Sequence, residues 1–494
     1  NLHEVQSANG SVDNGTTDVV MPAGRKYKST KIGPLTLPHY ASPATQLVIV
    51  AFVCFLCPGM FNALSGMGGG GQVSAKAADE ANIALYACFS VVGNIVNFIG
   101  IRWSLSFGGL GYCVYVASFL CYSHTQNTGF NIFAGALLGC CAGVLWSAQG
   151  AIMMSYPSEG SKGRYISWFW MIFNLGAVIG SLIPLGENIN ATSSSTVSDG
   201  TYVGFIVLTA CGAGLAWFLV DAKSVIRNDG SRIILMKNPT WKSELLGLWE
   251  TLRSEPYIIC LFPMFFASNW FYTYQFNGVN LAYFNTRTRA LNNTLYWTAQ
   301  IVGAFVFGFC LDYSKIRRTV RAKIAWVAIL VLTLAVFGGG YAFQTGYTRA
   351  SVDTKPPVSY VAKDWNDAGY VGPMFLYIFY GFYDAAWQTC VYWFMGSLTN
   401  NGRTLAGYAG FYKGIQSAGA AVIWRLDSQS LPYMSEFASS WALLLGALVC
   451  ALPLLLFRIK DHVTVEEDVK LSDETVEEVL GTTDGKAVHD AEKV

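Results

Sequence analysis

Twelve stretches of this chain are each long and apolar enough to cross the hydrocarbon core of a bilayer. They fall at about 44–64, 81–101, 104–123, 130–154, 164–185, 202–220, 257–278, 295–312, 321–343, 373–395, 405–426 and 437–457. A crossing helix needs about 20 apolar residues. Within lipid the backbone must satisfy its own hydrogen bonds, and runs of this length do so as helices. The expected fold class is therefore an all-α integral membrane protein. Charged residues make up only 13% of the 494, against 53% hydrophobic, where a soluble domain carries about 25% charged. That balance excludes a water-soluble enzyme or a disordered chain. A net charge of +1 offers nothing to a nucleic acid, so the expected partner is the lipid bilayer itself.

The runs divide the chain into a polar tail (1–43), a first half (44–220), a charged loop (221–255), a second half (256–457) and an acidic tail (458–494). The first run begins too late and is too long for a cleavable signal peptide. A start at Asn1 leads us to expect a truncated or processed N-terminus. Lys and Arg collect in the tails, in the 221–255 loop and around Lys315–Lys323, and are sparse in the alternate connections. The positive-inside rule then places both termini in the cytosol, in the plasma membrane or an endomembrane. On that orientation two sequons fall outside, Asn190-Ala191-Thr192 and Asn292-Asn293-Thr294, and mark Asn190 and Asn292 as glycosylation candidates. Asn9-Gly10-Ser11 and Asn14-Gly15-Thr16 fall inside, against the model. The glycines Gly68–Gly71 end in Gln72 without the Lys of a phosphate loop, so a flexible outside turn is expected.

No catalytic or metal constellation is present. The 12 cysteines lie in apolar runs, where Cys54 and Cys57 read as small packing residues. The five histidines, His3, His39, His124, His462 and His489, lie outside the apolar cores. No cofactor, metal or catalytic residue is expected, and the chain is not read as an enzyme.

The two halves repeat a pattern. Gly93, Asn97, Gly100 and Arg102 at the end of the second run recur as Gly308, Asp312, Lys315 and Arg317 at the end of the eighth, at the same offsets. Gly163-Arg164 before the fifth run matches Gly402-Arg403 before the eleventh, with Asn174 and Lys413 ten residues on. Such repeats mark many transporter folds. The first pattern resembles the loop signature GxxxDxxGx[RK][RK] of the major facilitator superfamily, with Asn97 in place of the acid in one copy and Lys315 in place of a glycine in the other. The order of further features is similar to the Unc-ninety-three-like branch of that superfamily in its fungal form. These are Gly66–Gln72, Asn97, Ser161-Lys162-Gly163-Arg164 leading to Trp168, and Val225–Gly230.

The resemblance implies twelve transmembrane helices in two pseudo-symmetric six-helix bundles. It also implies gating by Asp312, Arg317, Arg318, Asn97 and Arg102, with Asp312 holding a basic group or the start of the eleventh helix. Helices one, four, seven and ten would line a central cavity. Asn62, Gln149 and Asn269 then become substrate candidates, and Tyr380, Asp384, Trp387 and Gln388 share one face of the tenth helix by their three- and four-residue spacing. Asp384 and Lys413 are the acid and base placed deep within runs. A rise of ~1.5 Å per residue sets their depths within ~4 Å of each other, so they are expected to face each other as a pair or a coupling site. Two functions remain open: alternating-access transport of a small organic solute or ion, and a transporter-fold protein that no longer transports but regulates or chaperones a membrane-protein partner such as an ion channel. The sugar-porter signatures PESPR and RxGRR are absent from the sequence.

Overall fold

The computed structural model describes residues 24–33, 35–72, 75–92, 100–158, 161–190, 192–193, 197–227, 233, 252–253, 255–352, 360–399 and 401–461. The fold is helical. A short antiparallel hairpin, β1 (Thr30–Ile32) on β2 (Leu35–Leu37), precedes the first helix. Among the described residues, eight helical stretches are long and apolar enough to cross a membrane. They are α1 (Pro43–Leu56) continued by α2 (Pro58–Gly66), α4 (Ile101–Thr125), α5 (Thr128–Ser155), α6 (Lys162–Glu187), α7 (Asp199–Leu215), α10 (Thr286–Leu311), α11 (Arg318–Gln344) and α14 (Tyr433–Phe457). The runs expected at 81–101, 257–278, 373–395 and 405–426 coincide with α3 (Lys76–Val92), with a broken segment at 256–281, with α12 (Val371–Gly396) and with α13 (Gly402–Ser428).

The breaks have local causes. Ser42 caps α1 by accepting the Thr45 N–H, and Pro43 takes the first position, where no N–H is missed. At Cys57 the backbone leaves the helical region, and Pro58 starts α2 on a new axis. The 256–281 segment opens with a 3₁₀ turn, Pro256–Leu261. It continues as α8 (Phe262–Ala267) and α9 (Trp270–Thr273), separated at Asn269, and closes in a π-helical stretch, Tyr274–Leu281. π-Helical turns concentrate at functional sites, and this one turns Asn277 and Asn280 into the interior.

Within the first half α3 and α4 pack on α5, and α1 on α6 and α7. Within the second α10 packs on α12, α11 on α14 and α12, and α8 on α13 and α14. Two long pairings join the halves: α10 along α6, and α13 along α3.

Three expectations give way here. The eighth run was placed at 295–312, but α10 begins at Thr286, capped by Asn285. Its first turns read as polar because they carry Thr286, Arg287, Arg289, Asn292 and Asn293, four of which are fully buried against protein rather than facing water. Asn292 is one of them. Its Nδ2 donates to Asn280 Oδ1 at 3.1 Å and its Oδ1 accepts from Tyr370 Oη at 2.7 Å. A buried, doubly bonded amide leaves no room for a glycan, so Asn292 is withdrawn as a glycosylation candidate, while Asn190 is exposed. The glycines Gly68–Gly71 are not a solvent-facing turn either. Gly69, Gly70 and Gly71 are buried, all four have φ between 58° and 78°, and a Cβ on Gly70 would fall 2.4 Å from the Phe119 ring. Only glycine tolerates that backbone in that space.

Candidate functional site

A cavity of about 70 Å³ lies between the two halves. Its polar lining is Asn62 from α2, Asn269 from the α8–α9 break, Tyr272 from α9, Gln388 from α12, and Lys413 and Gln416 from α13. Tyr86, Tyr112, Trp146 and Trp170 supply aromatic walls from the first half. Of the residues expected to meet substrate, the structure brings Asn62, Asn269, Gln388 and Lys413 together here.

Four others lie behind the wall. Gln149 is fully buried, with its Nε2 3.4 Å from Met153 Sδ. Tyr380 and Trp387 are fully buried in the second half, and Trp387 Nε1 donates to Ser268 Oγ at 3.0 Å. Asp384 is turned toward α10. Its carboxylate accepts from Tyr272 Oη at 2.7 Å, Tyr296 Oη at 3.1 Å, Gln388 Nε2 at 3.4 Å and the Gln300 amide. Three of these donors converge on Oδ2, and Oδ1 takes only the longer contact from Gln388.

The direct Asp384–Lys413 pairing expected from their depths is not what the structure shows. Among the described residues the ion pairs do not include these two, and two amides stand between them. Lys413 Nζ donates to Gln416 Oε1 at 2.9 Å, Gln416 Nε2 donates to Gln388 Oε1 at 3.4 Å, and Gln388 Nε2 reaches Asp384. Tyr412 Oη also donates to Gln388 Oε1. The ammonium of Lys413 sits over three rings, Tyr412 at 4.6 Å, Trp146 at 4.7 Å and Tyr392 at 5.4 Å, an arrangement that stabilises a cation away from water. Gln416, one helical turn from Lys413, was missed by the sequence reading although the i, i+3 spacing marks it.

Contacts between the halves lie on both sides of the cavity. At the end where α1 begins and α14 finishes, Asp312 accepts from the backbone of Gly163 (Oδ1, 2.9 Å) and Arg164 (Oδ2, 2.7 Å). These are free N–H groups at the start of α6, where the helix dipole favours an anion. The expected partner was a basic group or the start of the eleventh helix. The carboxylate instead holds the fifth, because α10 runs along α6. Beside it Lys162 Nζ donates to the carbonyls of Gly396 at 2.6 Å and Thr399 at 2.9 Å.

The other gating candidates are placed as follows. Arg102 Nε donates to Leu219 O at 2.6 Å, Arg318 Nε donates to Lys460 O at 2.5 Å, and Arg317 is exposed. Asn97 lies outside the described residues. Asp461 caps α11 by accepting the Thr319 N–H, which holds its carboxyl below the usual range.

The opposite end is closed by a set the sequence reading missed. Arg289 is 1% exposed. Its Nε donates to Met67 O at 2.8 Å and its Nη2 to Gly68 O at 3.0 Å. Asn280 reaches Gly66 O at 2.9 Å and Asn293 reaches Ala63 O at 2.7 Å. Asn277 accepts from the Gly69 N–H and donates to Asp79 Oδ1 at 3.0 Å and Asp427 Oδ2 at 2.7 Å. Arg349 completes the cluster, donating to Asp427 at 2.5 Å and Glu436 at 2.8 Å. These polar groups sit at helix ends, where a hydropathy window counts them as loop.

Comparison with known proteins follows the same lines. Residues 71–450 match the family model described as ion channel regulatory protein UNC-93. An UNC93-like protein of Schizosaccharomyces pombe is 52% identical over 438 residues, 88% of this chain and 86% of the relative. UNC93-like protein 1 of Arabidopsis thaliana is 43% identical over 429 residues, 86% of this chain and 92% of the relative. The structure of the major facilitator superfamily proton:xylose symporter XylE superposes with a TM-score of 0.58 at 10% identity, over 88% of this chain and 99% of that one. That likeness concerns the fold alone.

Proposed function

The chain belongs to the UNC-93 family, and on that premise we propose that it is a twelve-span carrier. In this reading residues 44–220 and 256–457 form two six-helix bundles that move a small organic solute by alternating access. The termini and the 221–255 loop lie in the cytosol, Asp312 closes the cytosolic mouth, Arg289 closes the outer one, and Asn190 stands on the outer face. The observation that carries the reading is the polar, aromatic-walled cavity between the halves, shut at each end by a separate set of contacts between them. A carrier needs two closures that release independently around one site. A protein that only holds a partner needs neither. The second reading, a regulator of a membrane-protein partner, draws on the family's description as ion channel regulatory.

The test follows distances between spin labels across both mouths of the full chain in nanodiscs: Ser158 with Lys315 on one side, Asn188 with Asp367 on the other. Transport predicts that the two distances change in opposite senses as Asp312 or Arg289 is weakened. Distances fixed in every variant would favour the regulatory reading.

A further inference from the structure

Resting on the carrier reading, we propose that the cavity selects a small organic monoanion, a carboxylate with a compact apolar body, and that Lys413 is the group that receives it.

Read from the sequence, the hydroxyl, carboxylate, indole and amide on one face of the tenth helix suit an amphipathic or cationic solute. The structure removes the carboxylate from contention. Asp384 does not line the cavity, and its carboxylate is turned to Tyr272, Tyr296, Gln300 and Gln388. It orients Tyr272 and Gln388, which do line the cavity, and so acts as a positioning residue. The charge that faces the cavity is positive. Lys413 is 4% exposed, and among the described residues its one hydrogen-bond acceptor is Gln416. An ammonium has three N–H donors, so two remain for a ligand.

Of the aromatic walls, Trp146 already faces the Lys413 ammonium, which also sits over Tyr392 and Tyr412. A second cation would meet a like charge in a medium of low dielectric. An anion supplies what the site lacks: a counter-charge for an ammonium cut off from water, which is costly to leave unpaired. The carbonyl and amide groups of Asn62, Asn269 and Gln416 surround the same space. One facing cation fits one negative charge, and the aromatic walls favour an apolar remainder.

The experiment uses the purified full chain in nanodiscs and two matched sets of probes at equal ionic strength: butyrate, butyramide and butylammonium, then benzoate, benzamide and benzylammonium. A ligand that binds only the folded state raises its thermal midpoint. The expected result is stabilisation by the carboxylate of at least one set and none by its amide or ammonium partners. Lys413→Gln is expected to weaken carboxylate binding by about tenfold or more, the scale of a lost charged hydrogen bond. The wild-type comparison decides alone where that variant does not fold. Stabilisation by an ammonium member equal to or above that of the carboxylate overturns the anion assignment and leaves the carrier reading standing. Undiminished carboxylate binding in folded Lys413→Gln overturns the role of Lys413. No response to any probe, together with fixed distances across both mouths, overturns the assignment and the carrier reading alike.

Discussion

Gly163 and Gly308 meet backbone to backbone: a Cβ on Gly163 would lie 2.7 Å from Gly308 O, and one on Gly308 would lie 2.8 Å from Gly163 O. This contact brings the end of α10 close enough for Asp312 to reach the start of α6. A methyl group on Gly308 would lie 2.2 Å from Ser167 Cβ as well as against the Gly163 carbonyl, so it has nowhere to go. Gly308→Ala is expected to push the helices apart and destabilise the closed mouth by about 1–3 kcal/mol, the cost of overpacking a tight contact. Spin labels at Ser158 and Lys315 should report a longer mean distance. An unchanged distance distribution would count against the contact as a closure.

Asp312→Asn keeps the shape and removes the charge. Both oxygens of Asp312 accept backbone N–H groups, at 2.9 and 2.7 Å. An amide has one accepting oxygen, so one N–H at the start of α6 loses its partner and the dipole loses its anion. The same label pair should show a shift toward the open mouth worth about 1–3 kcal/mol. Combined with Gly308→Ala the effects should fall short of additive, because both changes release one contact. Full additivity would separate the two.

At the other mouth, Arg289→Gln is expected to lower stability by about 2–4 kcal/mol, since it strands buried carbonyls of Met67 and Gly68. Arg289→Lys should not restore it. The guanidinium reaches separate carbonyls with Nε and Nη2, which a single ammonium on a flexible stem does not reproduce. Thermal midpoints in nanodiscs check this, and a wild-type midpoint for the Lys variant would contradict it.

Outside the membrane-spanning helices, Asp364 accepts from Arg287 Nε at 2.6 Å and Nη2 at 2.8 Å. The Arg287 hydrogen bond holds its carboxyl well below the usual range, Asn285 adds to the effect, and partial desolvation opposes it. A depressed folded-state value means that the clip stabilises the fold throughout the range above the free aspartate value of about 3.9, and that this contribution fades as pH falls below it. Asp364→Asn should therefore cost about 1–2 kcal/mol, evenly from pH 5 to pH 8. The gap from wild type should narrow only in stronger acid. A gap that closed between pH 8 and pH 6 would point to a different group.

What the sequence made legible was axial, and what it missed was rotational. Run lengths placed the helices, the repeat and the ordered motifs pointed to the family, and the constellation at Asp312 picked out a residue that reaches the start of α6 from the other half. Depth along the helix placed Asp384 and Lys413 at similar heights, but says nothing of the angle at which each leaves its helix. Asp384 turns to α10, where Tyr296 and Gln300 offer donors that lie 84–88 residues away in sequence. Arg289, Asp427 and Glu436 were illegible for another reason: polarity at a helix end reads as water-facing until a second half packs over it.

The last prediction concerns that separated pair. A buried ion pair in contact, broken from one side, costs about 3–5 kcal/mol because it strands the other charge. Here each charge has its own neutral company: Asp384 has four donors, and Lys413 has an amide and three rings. Asp384→Asn should cost about 2–4 kcal/mol through its own lost acceptors and the N–H groups it turns against Gln300 and Gln388. Lys413→Gln should cost less, since its rings and Gln416 accept a neutral amide. The double variant should fall near the sum, with a coupling of about 1 kcal/mol carried through Gln388 and Gln416. Gln388→Leu should reduce even that coupling by cutting the amide relay. The measurement is a double-mutant cycle on stability in detergent, with and without Gln388. A coupling of 3 kcal/mol or more, insensitive to Gln388→Leu, would mean that the two charges touch.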